Sequence, residues 1–347
     1  MDKVARASHV CQGKSYIILV KYASFRHEPA KIRRISLTRR AEFCMMQSKG
    51  NFPICERNEV LPVFDPKTNR YPYPEDTDRH YLRVHKNRGI RFDTTYPYVD
   101  KSLSFRFRQS VVRFLLHLIV FPVTRIRLGL RVEGRENLKK HRDVLQKGVV
   151  SCSNHVHLWD FLSILYAVRP FRPNVLSWAP NINGENGTLI RMVGGIPIPD
   201  TGLDATRAYV QAIHQLLADG GWLQVYAEGS MWEFYAPIRP FKRGASLIAC
   251  ENDKPILPLG FSYREPGWIR KHIFRQIACF TLRIGEPIFP DPNLPKKDRR
   301  NDLTRRSHEA VCRLAGIDPA ENLYPPLFND SKRIDYYTTE YGVGYKG

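Results

Sequence analysis

The chain is short of acidic residues, of paired cysteines and of long apolar runs, and each shortage excludes something. Against 54 Lys and Arg stand only 34 Asp and Glu, giving a formal charge of +20. The pI near 9.8 that follows implies an anionic partner: a phosphorylated substrate, an acidic lipid surface or nucleic acid. The seven cysteines (Cys11, Cys44, Cys55, Cys152, Cys250, Cys279, Cys312) are odd in number and scattered, with no Cys-x-x-Cys. That pattern excludes a disulfide framework and a structural zinc site, and it reads as reduced thiols in a cytoplasmic setting. No apolar run is long enough to span a bilayer; the longest, 114–123, contains His117 and ends at Pro122-Val123. A signal-peptide pattern is also missing, since 16–20 is a brief apolar patch among basic residues.

What is present divides the chain into four parts. Residues 1–46 are expected to be a basic arm, either disordered or upstream of a start at Met45 or Met46. Residues 47–100, rich in Pro, Tyr, Asp and Arg, read as an irregular lead-in. Residues 101–317 hold the folded domain, and 318–347, rich in Tyr, Pro and Gly, form a tail that straps or frays. Within the domain, 103–123 predicts an N-terminal amphipathic helical segment flanked or interrupted by Arg106, Arg108, Arg113, Arg125 and Arg127. Two readings stay open: a helix lying in a membrane interface with its arginines at lipid phosphates, or a core helix with a solvated basic edge. From 126 onward, short apolar runs alternate with helical patterns. Strands are expected at 126–132, 148–152, 175–179, 196–198, 222–227, 256–261 and 280–284. Helices are expected at 136–141, 159–168, 188–193, 205–219, 244–251 and 296–315. This alternation predicts an α/β fold with a mixed, largely parallel sheet flanked by helices.

One stretch concentrates polar chemistry: Ser151-Cys152-Ser153-Asn154-His155-Val156-His157-Leu158-Trp159-Asp160. It joins a buried strand to a helix, a usual place for active-site groups in α/β proteins. His155 and Asp160 would lie far apart around an ideal helix and meet only if the chain bends between them. In contact they would form a dyad, the carboxylate fixing the ring tautomer and the other ring nitrogen taking a proton from a hydroxyl. With eleven histidines, roughly half a match to His-x4-Asp is expected by chance, so the spacing alone decides little. A metal-dependent hydrolase would need a closer ligand where Phe161 stands, which leaves His157 as a loop histidine and no metal expected. Ser230 lacks the Gly-x-Ser-x-Gly elbow of a serine hydrolase. No recognised nucleic-acid motif accompanies the basic residues, so no nucleic acid is expected as partner.

Four stretches in order carry a resemblance: Asn154-His155-(x4)-Asp160; Gly194-Gly195-Ile196-Pro197-Ile198; Ala227-Glu228-Gly229-Ser230 with Pro240-Phe241-Lys242-Arg243-Gly244-Ala245; and Lys254-Pro255-Ile256-Leu257-Pro258-Leu259. Together, over about 125–290, they resemble the boxes of the glycerolipid (1-acylglycerol-3-phosphate) acyltransferase superfamily. The resemblance implies a glycerol-3-phosphate acyltransferase-like fold and O-acylation of a lysophospholipid from acyl-CoA or acyl-carrier protein. No metal or bound organic cofactor is implied. His155 would be general base and Asp160 its partner, with Asn154, Gly194, Gly195, Glu228, Gly229, Ser230, Lys242 and Arg243 around the substrate. Oxyanion donors would come from backbone N–H groups near Trp159 or at Gly194-Gly195, and Lys242 and Arg243 would hold phosphate. The expected location is the cytoplasmic face of an anionic membrane, peripheral or monotopic. The sequence departs from the pattern at Pro199-Asp200 and Met231-Trp232, where members with phosphorylated acceptors carry arginines. Arg191, Arg207, Arg239, Lys242 and Arg243 are the candidates to replace them, and a catalytically silent lipid- or membrane-binding relative is the main rival reading.

Overall fold

A computed structural model of the chain describes residues 87–320, apart from Thr201, Glu233, Arg275 and Ile277, together with Asn322. The basic arm, most of the lead-in and nearly all of the tail lie outside the described residues. The elements run α1 (Leu103–Leu115), a π-helical turn (Leu116–Val120), α2 (Phe121–Leu128), β1 (Arg131–Glu133), α3 (Arg135–Lys140), α4 (Arg142–Leu145), β2 (Val149–Ser153) and α5 (Asp160–Ala167). There follow β3 (Asn174–Trp178), α6 (Ala179–Asn183), α7 (Gly187–Met192), β4 (Gly195–Ile198), α8 (Leu203–Ala218) and β5 (Trp222–Tyr226). The last are α9 (Gly244–Glu251), β6 (Ile256–Arg264), α10 (Trp268–His272), β7 (Cys279–Ile284) and α11 (Lys296–Ala315).

The seven strands form one sheet in the order β1-β7-β6-β2-β5-β3-β4. Every neighbouring pair is parallel except β6 and β7. Sheets of this kind are covered on both faces, so their central strands are apolar throughout. In β2 every residue is buried. Val150 and Cys152 face a core with Ile213 and Leu217 of α8, Ala245 and Ala249 of α9 and Val311 of α11. Val149 faces the other, with Leu138, Leu145 and Ile164 from α3, α4 and α5. The polar residues of the central strands satisfy one another. The Trp222 indole N–H donates to Ser151 Oγ at 2.7 Å, Ser151 Oγ donates to Gln224 Oε1 at 2.5 Å, and Gln224 Nε2 donates to Ser153 Oγ at 2.9 Å. The cost of burying them is thereby offset.

The expected strand at 126–132 is corrected. Ile126 and Leu128 belong to the last turn of α2, and only Arg131–Glu133 is strand. Gly129, at φ 55°, takes the left-handed conformation that ends a helix. The alternation Ile126, Leu128, Leu130, Val132 imitates a strand, an ambiguity inherent in short apolar runs. Just upstream the helix widens to a π turn, where Phe121 N–H bonds Leu116 C=O. Pro122 follows, which has no N–H to continue the ordinary ladder. Phe105, Leu116, Phe121 and Leu128 face inward, while Leu103, Phe107, Phe114, Leu118, Ile119 and Ile126 are exposed. No helix among the described residues is long and apolar enough to cross a membrane. The lead-in is irregular from 87 to 102 but packed: Phe92 and Tyr98 are buried in the core. Asn322 is buried as well, its amide bonded to both the N–H and the C=O of Ile238.

His308 of α11 lies buried beside Phe241 and Cys312, and burial depresses its pKa to about 4, against weaker support from the backbone at Ile238 and Arg239. A depressed histidine is neutral in the fold while the unfolded chain takes up its proton near pH 6.5. Its contribution to stability is therefore complete above that pH and is lost as pH falls towards 4, roughly 3 kcal/mol in all. Urea unfolding of wild type and His308→Gln across this range should show a shallower pH slope in the variant. Identical slopes would contradict it.

Candidate active site

The parallel strands β2, β5 and β6 end side by side, and the site is built from the loops leaving them. After Ser153 the chain turns sharply and enters α5 at Asp160. One carboxylate oxygen makes that turn. Asp160 Oδ2 accepts the backbone N–H of Val156 at 2.7 Å, that of His157 at 2.9 Å, and His155 Nδ1–H at 3.0 Å. The carboxylate is 1% exposed and the imidazole 22%. Because a carboxylate only accepts, the ring proton sits on Nδ1 and Nε2 carries a lone pair. Tyr226, the last residue of β5, forms the floor: its ring stacks on the imidazole with centroids 3.8 Å apart and planes 13° from parallel. Burial, with the Asp160 charge adding to it, drives the Tyr226 phenol pKa well above its ordinary range, so the ring stays neutral.

The loop after β5 is laced to this turn. Trp232 N–H bonds His155 C=O at 3.0 Å and Phe234 N–H bonds Val156 C=O at 2.9 Å. Glu228 reaches beneath: Oε2 accepts His155 N–H at 3.1 Å and Arg239 Nη2–H at 2.9 Å, and Oε1 accepts Arg239 N–H at 2.9 Å. The pair is 2% exposed on both sides. Arg239 also donates to Ser230 Oγ at 2.8 Å and stacks 4.4 Å from the Trp232 ring centroid. These hydrogen bonds and the stacked indole compensate the two buried charges.

His155 and Asp160 are thus in contact, and several of the other expected site residues are placed elsewhere. Asn154 is buried with its amide spent on Phe261 of β6, Nδ2–H to C=O at 3.0 Å and Oδ1 from N–H at 2.8 Å. It pins the turn to the neighbouring strand. Glu228 and Ser230 lie under the turn, where both are bonded by Arg239. Gly194 and Gly195 do not reach the dyad. Gly195 pairs with Val175, level with Gln224 and Ser151, so it sits three strands over from β2, roughly 14 Å at ordinary strand spacing. What Gly195 provides is room: a Cβ there would come within 2.6 Å of Ile190 Cγ2. Nor is Trp159 N–H available as an oxyanion donor, since it bonds His157 Nδ1 at 3.0 Å. His157 is a loop histidine whose ring lies edge-on to Phe234 and Phe280.

Among the candidate replacements for the missing arginines, Arg191 donates to the carbonyls of Pro97, Tyr98 and Gly195, and Arg207 pairs with Asp204 on the surface of α8. Arg239 is buried. Lys242 and Arg243 stand just before α9, and the Lys242 N–H bonds Ala227 C=O at 2.7 Å. Lys242 lies across Gly229, which has φ 84° and where a Cβ would stand 2.7 Å from Lys242 Cε. Arg243 is exposed at the start of α9. Sequence reasoning passed over Tyr226 as a site residue and did not foresee how Arg239 is used. The register that sets Tyr226 opposite Ser153 is a property of the assembled sheet.

The Acyltransferase family model matches residues 129–262, which take in the turn, the floor and the Glu228–Arg239 pair. No curated protein matches the chain. Among solved structures it is similar to the 1-acyl-sn-glycerophosphate (LPA) acyltransferase PlsC from Thermotoga maritima. That likeness is at 20% identity and a TM-score of 0.43, covering 62% of this chain and 84% of that one.

Glu228→Gln should remove the carboxylate charge from its buried ion pair with Arg239 and destabilise the fold by roughly 1–3 kcal/mol. The urea midpoint measures this, and a midpoint equal to wild type would show that the pair contributes little.

Proposed function

We propose that this member of the glycerolipid acyltransferase superfamily, with its acyltransferase-family domain at residues 129–262, moves a fatty acyl chain from acyl-CoA or acyl-carrier protein to a hydroxyl of a lysophospholipid, 1-acylglycerol-3-phosphate or a related lipid alcohol. The observation that carries this reading is the 3.0 Å contact of His155 Nδ1 with buried Asp160, which leaves Nε2 as a base on a partly exposed ring.

In the proposed reaction Nε2 takes the proton of the acceptor hydroxyl as its oxygen bonds the thioester carbonyl carbon. The imidazolium so formed is stabilised by Asp160, which keeps its own charge. The tetrahedral intermediate then expels the thiolate, which recovers the proton from Nε2, giving ester and free thiol. Tyr226 beneath the ring and the bonds from Trp232 and Glu228 to the His155 backbone support the reading by limiting the ring to one orientation. Lys242 and Arg243 are the cations we assign to phosphate of the donor or acceptor. The exposed apolar side of α1 supports attachment to the cytoplasmic face of an anionic membrane. No step needs a metal or a bound organic cofactor.

Incubating the protein with labelled acyl-CoA and a panel of lysolipids should yield a diacyl product. His155→Ala should lower the rate by roughly 10²–10⁴ without changing the thermal midpoint by more than a few degrees. Asp160→Asn should slow transfer as well, and chelators should leave it unchanged. Transfer by His155→Ala at the wild-type rate would end the reading. Lipid binding without any transfer would favour the silent relative.

A further inference from the structure

A second polar concavity lies apart from the dyad. Between α2 and the connection from β6 to β7 is a cavity of about 970 Å³ whose lining includes neither His155 nor Asp160. Five arginines line it: Arg125 of α2, Arg131 of β1, Arg169 after α5, Arg264 at the end of β6 and Arg270 of α10. Glu265 is the one carboxylate among these described lining residues. Arg264 and Arg270 are fixed in place by donating to the carbonyls of Gly129 and Ile126 at the end of α2. Arg125 and Arg131 are exposed. Burial weakens the hold of Arg264 on its proton, and the charges of Arg131 and Arg270 add to the effect. So many guanidinium groups with so little counter-charge form a site complementary to an anion.

The rim identifies the kind of anion. Ile126 is 66% exposed, Trp268 70% and Ile269 58%, and Ile273 and Phe274 continue the apolar surface beyond them. Free phosphate gains nothing from these side chains, and a nucleotide base can stack on the Trp268 ring but has no use for the exposed Ile126, Ile269 and Ile273 spread along the same rim. A phospholipid gains from them all, because its phosphate can sit among the arginines while apolar side chains enter the acyl region beside it. We infer that this cavity seats the phosphate of an anionic phospholipid, with Ile126, Trp268 and Ile269 dipping into the bilayer around it, so that the chain holds its membrane at a site separate from the dyad. The inference rests on the reading above only in placing the chain at a lipid surface.

The test is sedimentation of the full chain with phosphatidylcholine vesicles, with and without phosphatidylglycerol. Arg125→Glu/Arg131→Glu should lose roughly tenfold or more of its partition to the anionic vesicles and little on the neutral ones. Trp268→Ala/Ile269→Ala should lose partition to both. Lys296→Glu/Lys297→Glu makes the same charge change on exposed residues of α11, across the sheet, and should lose much less. Arg125→Gln/Arg131→Gln, a milder change with thermal midpoint checked, should shift partition in the same direction. Equal losses in the pocket and α11 variants would overturn the inference. So would release of wild type from anionic vesicles by inorganic phosphate or CoA at matched ionic strength, since the site would then take the free anion. Transfer to a detergent-dispersed lysolipid should be unchanged in Arg125→Glu/Arg131→Glu. Absence of that transfer in wild type defeats the acyl-transfer reading and leaves the vesicle result to be judged by itself.

Discussion

A single carboxylate oxygen shapes the centre of this protein. Asp160 Oδ2 gathers two backbone N–H groups and the Nδ1–H of His155 within 3.0 Å, all from the three residues after Asn154. A loop of this length between a strand and a helix leaves backbone donors with no ladder to join. Here the first acidic residue of α5 receives them, at the helix end where negative charge is favoured. The imidazole is then carried to its place by the same turn that the carboxylate closes, so backbone geometry and ring tautomer have one cause.

Beneath that turn lies a second buried charge, and it bears on the stretch where the sequence departs from the boxes it resembles. Met231 and Trp232 stand where the resemblance leads one to look for a cation, and both are buried. Arg239, further along the same loop, folds back under them to meet Glu228, with the Trp232 ring against its guanidinium. The loop has thus turned its positive charge inward, towards the backbone of His155, and presents aromatic and apolar groups around it. Lys242, draped over Gly229, is half-exposed on this side, and Arg243 next to it is exposed.

The layered fold was legible in the sequence, because most apolar runs were short and bounded by glycine, proline or a polar cluster. It failed at 126–132, where helix and strand periods coincide over a few residues and only the conformation of Gly129 decides. The contact of His155 with Asp160 was legible as a possibility, since both partners and the intervening turn are local. The partners of Asn154 and Glu228 were not: Phe261 is 107 residues away from the first, and His155 is 73 from the second. Gly194 and Gly195 stood close to the site in the order of motifs, but strand order places them near an edge of the sheet. The apolar rim at 268–274 went unnoticed because it has neither the length nor the period of a regular element.

That rim owes its position to the reversal of β7 against β6. Had β7 run with its neighbour, the chain would have had to return beneath the sheet before starting it, and the link would have needed a crossover. Running against it, the link is a local excursion at the end of β6, the end of the sheet at which β2 and β5 also release their loops. One antiparallel pair therefore gives the molecule a polarity: the His155 turn, the loop after Tyr226 and the link that carries Trp268 all leave the sheet at the same end.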